Sequence, residues 1–224
     1  MSCRSVHSLE EPDLVIAGYH SIIAENGDSH VRAVHSLATL EGATTTKTAA
    51  PAYVAEVFDE LADTFEEKLV AHLEYRVPWQ LVEALQKLSP PGFVPKDSPI
   101  KPEWVACADE SLDLVISADV WIYVGALEQV FELIALKLRA STGWMAFSIE
   151  MLPSDVKNSR DDANETSIGY RLAPSGRFQH SHEYISSLAS RAGFSIAVQQ
   201  DISVRKESGE PIPGGIYLLQ RCSQ

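Results

Sequence analysis

The sequence is poor in residues that staple a fold or ligate a metal. Cys3, Cys107 and Cys222 are scattered through 224 residues, with no C-x-x-C and no close pair. An odd number at such spacing supports neither a disulfide framework nor a zinc site, and it fits a reducing, cytoplasmic setting. Basic residues are scarce as well: 18 Lys and Arg stand against 31 Asp and Glu, a net charge of −13. Phosphate backbones and anionic bilayers repel such a chain, which argues against nucleic-acid binding and membrane association. No stretch approaches the roughly 18 apolar residues of a membrane span. The polar start, Met1–Glu11, has no signal-peptide core. The sequon Asn164-Glu165-Thr166, without a secretory signal, reads as chance. His180 and His182 do not share a helix face, so no metal pair is expected.

Apolar residues make up 45% of the chain, enough for a core. Pro12–Asn26 reads as a helix carrying Leu14, Val15, Ile22 and Ile23. A second helix, capped by Asp28, runs to Glu41 and stops at Gly42; Val31, Val34, Leu37 and Leu40 form one stripe on it. The hairpin these make, within residues 1–43, cannot bury both faces alone and has to dock. Residues 44–52 read as a small-residue linker that reaches Pro51, a first-turn residue. Tyr53–Leu73 is strongly amphipathic, with Val54, Val57, Phe58, Leu61, Phe65 and Leu69 on one side and acidic residues on the other. Pro78 opens a further helix through Leu88. A junction at 89–111 follows, where five prolines and a glycine in Ser89–Pro102 exclude an element.

The pattern then changes. Leu112–Ala118 reads as a buried strand, Leu127–Arg139 as a helix and Trp144–Glu150 as a second strand. Ile168–Leu172 reads as a short strand, and Ser181 caps a helix that ends at Gly193. Phe194–Arg205 and Gly215–Arg221 read as strands joined through Glu207–Gly214. This order predicts an α/β fold with a mainly parallel sheet and an antiparallel C-terminal hairpin strand, preceded by N-terminal helices.

Leu112-Asp113-Leu114-Val115-Ile116-Ser117-Ala118-Asp119-Val120, continued by Trp121-Ile122-Tyr123-Val124-Gly125, resembles the fourth strand and following loop of class I S-adenosylmethionine-dependent methyltransferases. Ala140–Glu150 is similar to their fifth strand and its approach, with Thr142-Gly143 where a Gly-Gly turn is usual. Gly169-Tyr170-Arg171-Leu172, Ser175-Gly176-Arg177-Phe178 and His180-Ser181 resemble a type 11/12-like subgroup often fused to tetratricopeptide repeats. Ala50–Val54, Val57-Phe58-Asp59 and Leu73–Pro78 resemble the lead-in to its catalytic domain, and the hairpin at 12–41 looks like the end of a repeat array. The resemblance covers most of 50–88 and 110–221. It implies a Rossmann-like sheet in a partial domain over 53–224, led in by helices at 53–88. It also implies S-adenosylmethionine as cofactor and a methyl acceptor that the sequence does not name.

The cofactor-holding half is what that family has and this chain lacks. A class I domain starts with a strand and a glycine-rich turn whose amides approach the cofactor. Only about two dozen residues separate Leu88 from Leu112, and no G-x-G occurs anywhere in the chain. Three strands and two helices need on the order of 60 residues. Genuine loss, a splice product or a gene-model error each give this pattern. The loss leaves 112–118 as a sheet edge, which residues 53–88, a protein partner or a second copy would cover.

Candidate site residues follow from the resemblance. Asp119 stands where ligand sites of open α/β sheets form and faces the cofactor or substrate. Tyr75 and Arg76 would hold the cofactor carboxylate, an arginine fork suiting that group. Tyr123, Tyr170 and Arg171 lie on the substrate side, and His180 is the candidate general base. Two functional classes stay open: a methyltransferase-like protein, its activity in question without the glycine-rich turn, and a non-catalytic interaction module.

Overall fold

The computed structural model describes residues 12–27, 30–43, 45–62, 73–88, 107–153 and 169–223. In chain order its helices are α1 (Pro12–Asn26), α2 (Val31–Glu41), α3 (Pro51–Leu61), α4 (Val77–Leu88), α5 (Glu128–Lys137) and α6 (His182–Arg191). Its strands are β1 (Leu114–Ser117), β2 (Trp144–Met151), β3 (Tyr170–Leu172), β4 (Phe178–His180), β5 (Phe194–Glu207) and β6 (Glu210–Arg221).

The apolar run of β2 is the hub of the sheet. One edge pairs from Trp144 to Glu150 with antiparallel β6. The other edge is shared: Trp144 to Phe147 pair in parallel with β1, and Glu150 and Met151 in parallel with β4. β3 forms a hairpin with β4, and β5 pairs antiparallel with β6 at the far side. Two of these five pairings are parallel and three antiparallel, so the expected mainly parallel sheet is a mixed one. The cause is local: β3–β4 and β5–β6 are hairpins, and a hairpin can only be antiparallel.

Side-chain alternation sorts the core into two layers. Met145, Phe147 and Ile149 of β2, with Tyr217 and Leu219 of β6, pack against α5 and α6 through Phe131, Ile134, Ile185 and Leu188. Ala146, Ile216 and Leu218 turn the other way onto Val77, Leu81, Ala84 and Leu85 of α4. Both faces of β2 are covered, which is why its sequence reads as a nearly unbroken apolar run. The Ser181 hydroxyl accepts from the Tyr184 amide at 3.1 Å and starts α6, and Gly193, with φ +74°, follows its end.

Several boundaries differ from expectation. The cap of α2 is His30, whose ring accepts from the Ala33 amide at 3.4 Å; Asp28 lies outside the described residues. α3 is described to Leu61, and its expected continuation over 63–72 lies outside, as do the junction at 89–106 and the sequon. The C-terminal strands run past the expected connection to a turn at Ser208-Gly209, both at positive φ. Pro211 and Pro213 lie where β6 has passed the end of β2 and pairs with β5 alone. A missing N–H is tolerated on an unpaired edge. β5 also carries an extra residue between Ser203 and Lys206, which face Pro213 and Pro211 respectively. This bulge lets the neighbours Val204 and Arg205 both turn inward, where strict alternation would expose one of them.

The segment leading into α3 is stitched to the sheet. The Lys47 carbonyl accepts from the amides of Gly125 and Ala126 at 2.9 and 3.0 Å, and the Ala49 amide donates to the Tyr123 carbonyl at 2.9 Å.

Candidate functional site

The loop that leaves β1 crosses the end of the sheet, and two side-chain groups hold it. The first holds Asp119. This residue has φ +57°, a left-handed conformation that aspartate tolerates. Its amide donates to the Ser148 hydroxyl at 2.8 Å. Its Oδ2 accepts from Nη1 of Arg205 at 3.2 Å. Arg205 is only 2% exposed, and it also donates through Nη2 to Glu150 and through Nε to Glu207 at 2.8 Å. Arg177, at the rim, donates to Glu207 and lies 3.9 Å from Glu150. Burial pushes the carboxyls of Asp119 and Glu150 above the usual range, while Arg205 pulls each back. Burial acts the same way on Glu207, but Arg177 and Arg205 outweigh it and hold that carboxyl low.

The second group is neutral. His180 has no exposed surface, and its Nε2 lies 2.9 Å from the Val124 carbonyl and 3.1 Å from that of Gly125. Two carbonyl partners require a proton on Nε2, which leaves Nδ1 as an acceptor; that atom is buried without a hydrogen-bond partner. Burial drives the ring to about 4. The Tyr184 ring stacks on it at 6.0 Å, and the Tyr184 hydroxyl accepts from the Leu127 amide at 2.8 Å. Gly125 allows this close fit: a Cβ there would stand 2.6 Å from ring atoms of Phe178 and Tyr170.

The sequence-derived candidates do not gather at one point. Tyr75 is 4% exposed and packs into the α4 side of the core. Its hydroxyl is raised by burial and then by the nearby Asp119 charge, so these two are neighbours. Arg76 is exposed. Tyr123 is half-buried, with its ring 5.7 Å from Phe58. Tyr170 packs around His180 and Tyr184, at 6.2 and 5.5 Å between rings. Arg171 points instead to Gln179, with Nε 3.3 Å from its side-chain oxygen. Arg205, Glu150, Glu207 and Arg177 were missed. A signal existed for Glu150: it is the sole charge in the apolar run Trp144–Met151, and a charge among buried residues needs a partner.

The strand order β1-β2-β6-β5, with β6 reversed between β2 and β5, matches the family arrangement. The fold is methyltransferase-like. No protein-family model matches the chain, and no curated protein does. Among solved structures, it is similar to an S-adenosylmethionine-dependent methyltransferase from Methanosarcina mazei, at 15% identity over 65% of this chain and 77% of that one, with a TM-score of 0.43. It is also similar to the [4+2]-cyclase SpnF, at 11% identity over 57% and 56% of the two chains, with a TM-score of 0.39. A third is the 1,6-didemethyltoxoflavin-N1-methyltransferase of Burkholderia thailandensis with S-adenosylhomocysteine bound, at 9% identity over 51% and 46%, with a TM-score of 0.37. The chain thus spans about half the length of the last two.

The methyltransferase-like fold implies S-adenosylmethionine, and the described residues fit it poorly. Asp119 already holds an arginine, Tyr75 is sealed in the core, and Arg76 faces solvent. Among the described residues, no group of three His, Cys, Asp or Glu could hold a metal ion. No described helix is long and apolar enough to cross a membrane.

Proposed function

We propose that this chain is a methyltransferase-like protein that does not transfer methyl groups by itself and serves as a non-catalytic interaction module. One observation carries the reading: the Asp119 carboxylate at the end of β1 is engaged by the buried guanidinium of Arg205 at 3.2 Å. The missing glycine-rich turn agrees with it, since the backbone amides that would approach a cofactor are not in the sequence. His180 agrees too. A general base must reach the proton it abstracts, and this ring is enclosed and committed to two carbonyls. What the chain offers instead is surface. Ile116 on the outer side of β1, Leu14 on α1 and Trp79 on α4 are each at least half exposed.

Isothermal calorimetry of the full chain with S-adenosylmethionine tests this. The expected result is no saturable heat from folded protein. Binding in the micromolar range would return the chain to the enzymes.

A further inference from the structure

Arg205 and Glu150 are the most deeply buried charges among the described residues, in a chain already short of basic side chains. The Arg205 guanidinium spends three N–H groups on three carboxylates from three segments. Asp119 comes from the loop after β1, Glu150 from the end of β2, and Glu207 from β5 beyond the bulge. With Arg177 at the rim, three carboxylates face two guanidiniums. Oδ1 of Asp119 is buried with no hydrogen-bond partner, so the cluster keeps unused acceptor capacity.

We propose that Asp119, Glu150 and Glu207 form a guanidinium-binding site that the chain fills with its own Arg205, closing the carboxylate at the end of β1 to any outside cation. This rests on the non-catalytic reading and gives it a cause. Geometry selects the ligand class. A guanidinium presents five N–H groups in a planar fork, and here Nε, Nη1 and Nη2 each meet a different carboxylate. An ammonium is a compact point charge, and it cannot reproduce that spread. The backbones of two of the acceptors are fixed by bonds that do not involve the guanidinium. Ser148 anchors the Asp119 amide, and the ladder with β6 and β4 fixes the backbone of Glu150.

The test is chemical rescue. Arg205→Ala empties the site and leaves its carboxylates without their central cation. Its thermal midpoint is expected well below that of the wild type, and closer to it at mildly acidic pH, where the carboxyls protonate. Titrating methylguanidinium should raise the variant's midpoint saturably by several degrees. Methylammonium should give less than half that shift, sodium chloride at equal ionic strength none, and the wild type no response to any of them. If Arg205→Ala does not fold, Arg205→Gln, which keeps most of the volume, takes its place in the same titration. Equal responses to all three salts, or a wild type that responds as the variant does, overturn the proposal. Saturable S-adenosylmethionine binding by the wild type would instead overturn the non-catalytic reading, so the two failures are distinct.

Discussion

The loop from Asp119 to Leu127 is held at its two ends by opposite chemistry. At Asp119 the grip is ionic: Arg205 gathers three carboxylates, two of them raised by burial. At Val124–Leu127 the grip is neutral: His180 and Tyr184 bond backbone groups and carry no charge. The ionic end draws strength from partners that are costly to strand, because a buried ion pair that loses one member leaves a bare charge. The neutral end depends on close fit and on a histidine kept from protonating. The two ends should therefore fail under different insults.

The largest break should come from Arg205→Ala, costing about 3–5 kcal/mol in urea unfolding, the scale for removing one member of a buried ionic group. Acid should strike the other end. The His180 ring is held at about 4 against an ordinary 6.5, so the unfolded chain takes up its proton first. The stability it contributes is present above pH 6.5 and lost as pH falls toward about 4. The full effect is about 3 kcal/mol by proton linkage. Asp119 and Glu150 have the opposite sign: raised carboxyls bind protons on folding and gain stability as pH falls. In a pH series of unfolding midpoints, His180→Gln should flatten the acid loss of the wild type. An unchanged slope would remove His180 from the account.

Gly125→Ala should cost about 1–3 kcal/mol, the usual range for overpacking, because its Cβ meets two aromatic rings at 2.6 Å. Differential scanning calorimetry would read it. The smallest effect belongs to an exposed counterpart of the ionic end. Lys206 pairs with Glu74 at 2.7 Å, but the two side chains are 44% and 61% exposed. Lys206→Met should change stability by roughly 0–1 kcal/mol. A larger loss would mean that burial is not what separates the two kinds of pair.

Periodicity made most elements legible. β2, α5 and α6 match their expected spans within a residue or two because burial on one or both faces writes a repeat into the sequence. The β5–β6 turn was misjudged because prolines and glycines were read as a loop. Pro211 and Pro213 sit instead on a strand edge that needs no donor. Asp119 was legible from its place after a strand, but its partner was not. Arg205 follows 86 residues later and reaches the site only through the bulge. Ionic partners that meet across a sheet leave no spacing to read. The pairing of Glu150 with Arg205, 55 residues apart, was hidden for the same reason, although its place in an apolar run marked Glu150 itself.

The bulge sets two goods against each other. Deleting one residue between Ser203 and Lys206 would give a straighter hairpin in which each residue of β5 from Val198 onward faces a partner. The same deletion would move side chains to the opposite face and withdraw the guanidinium from its three acceptors. A regular arm and a neutralised interior are alternatives for this chain, and its sequence has chosen the interior.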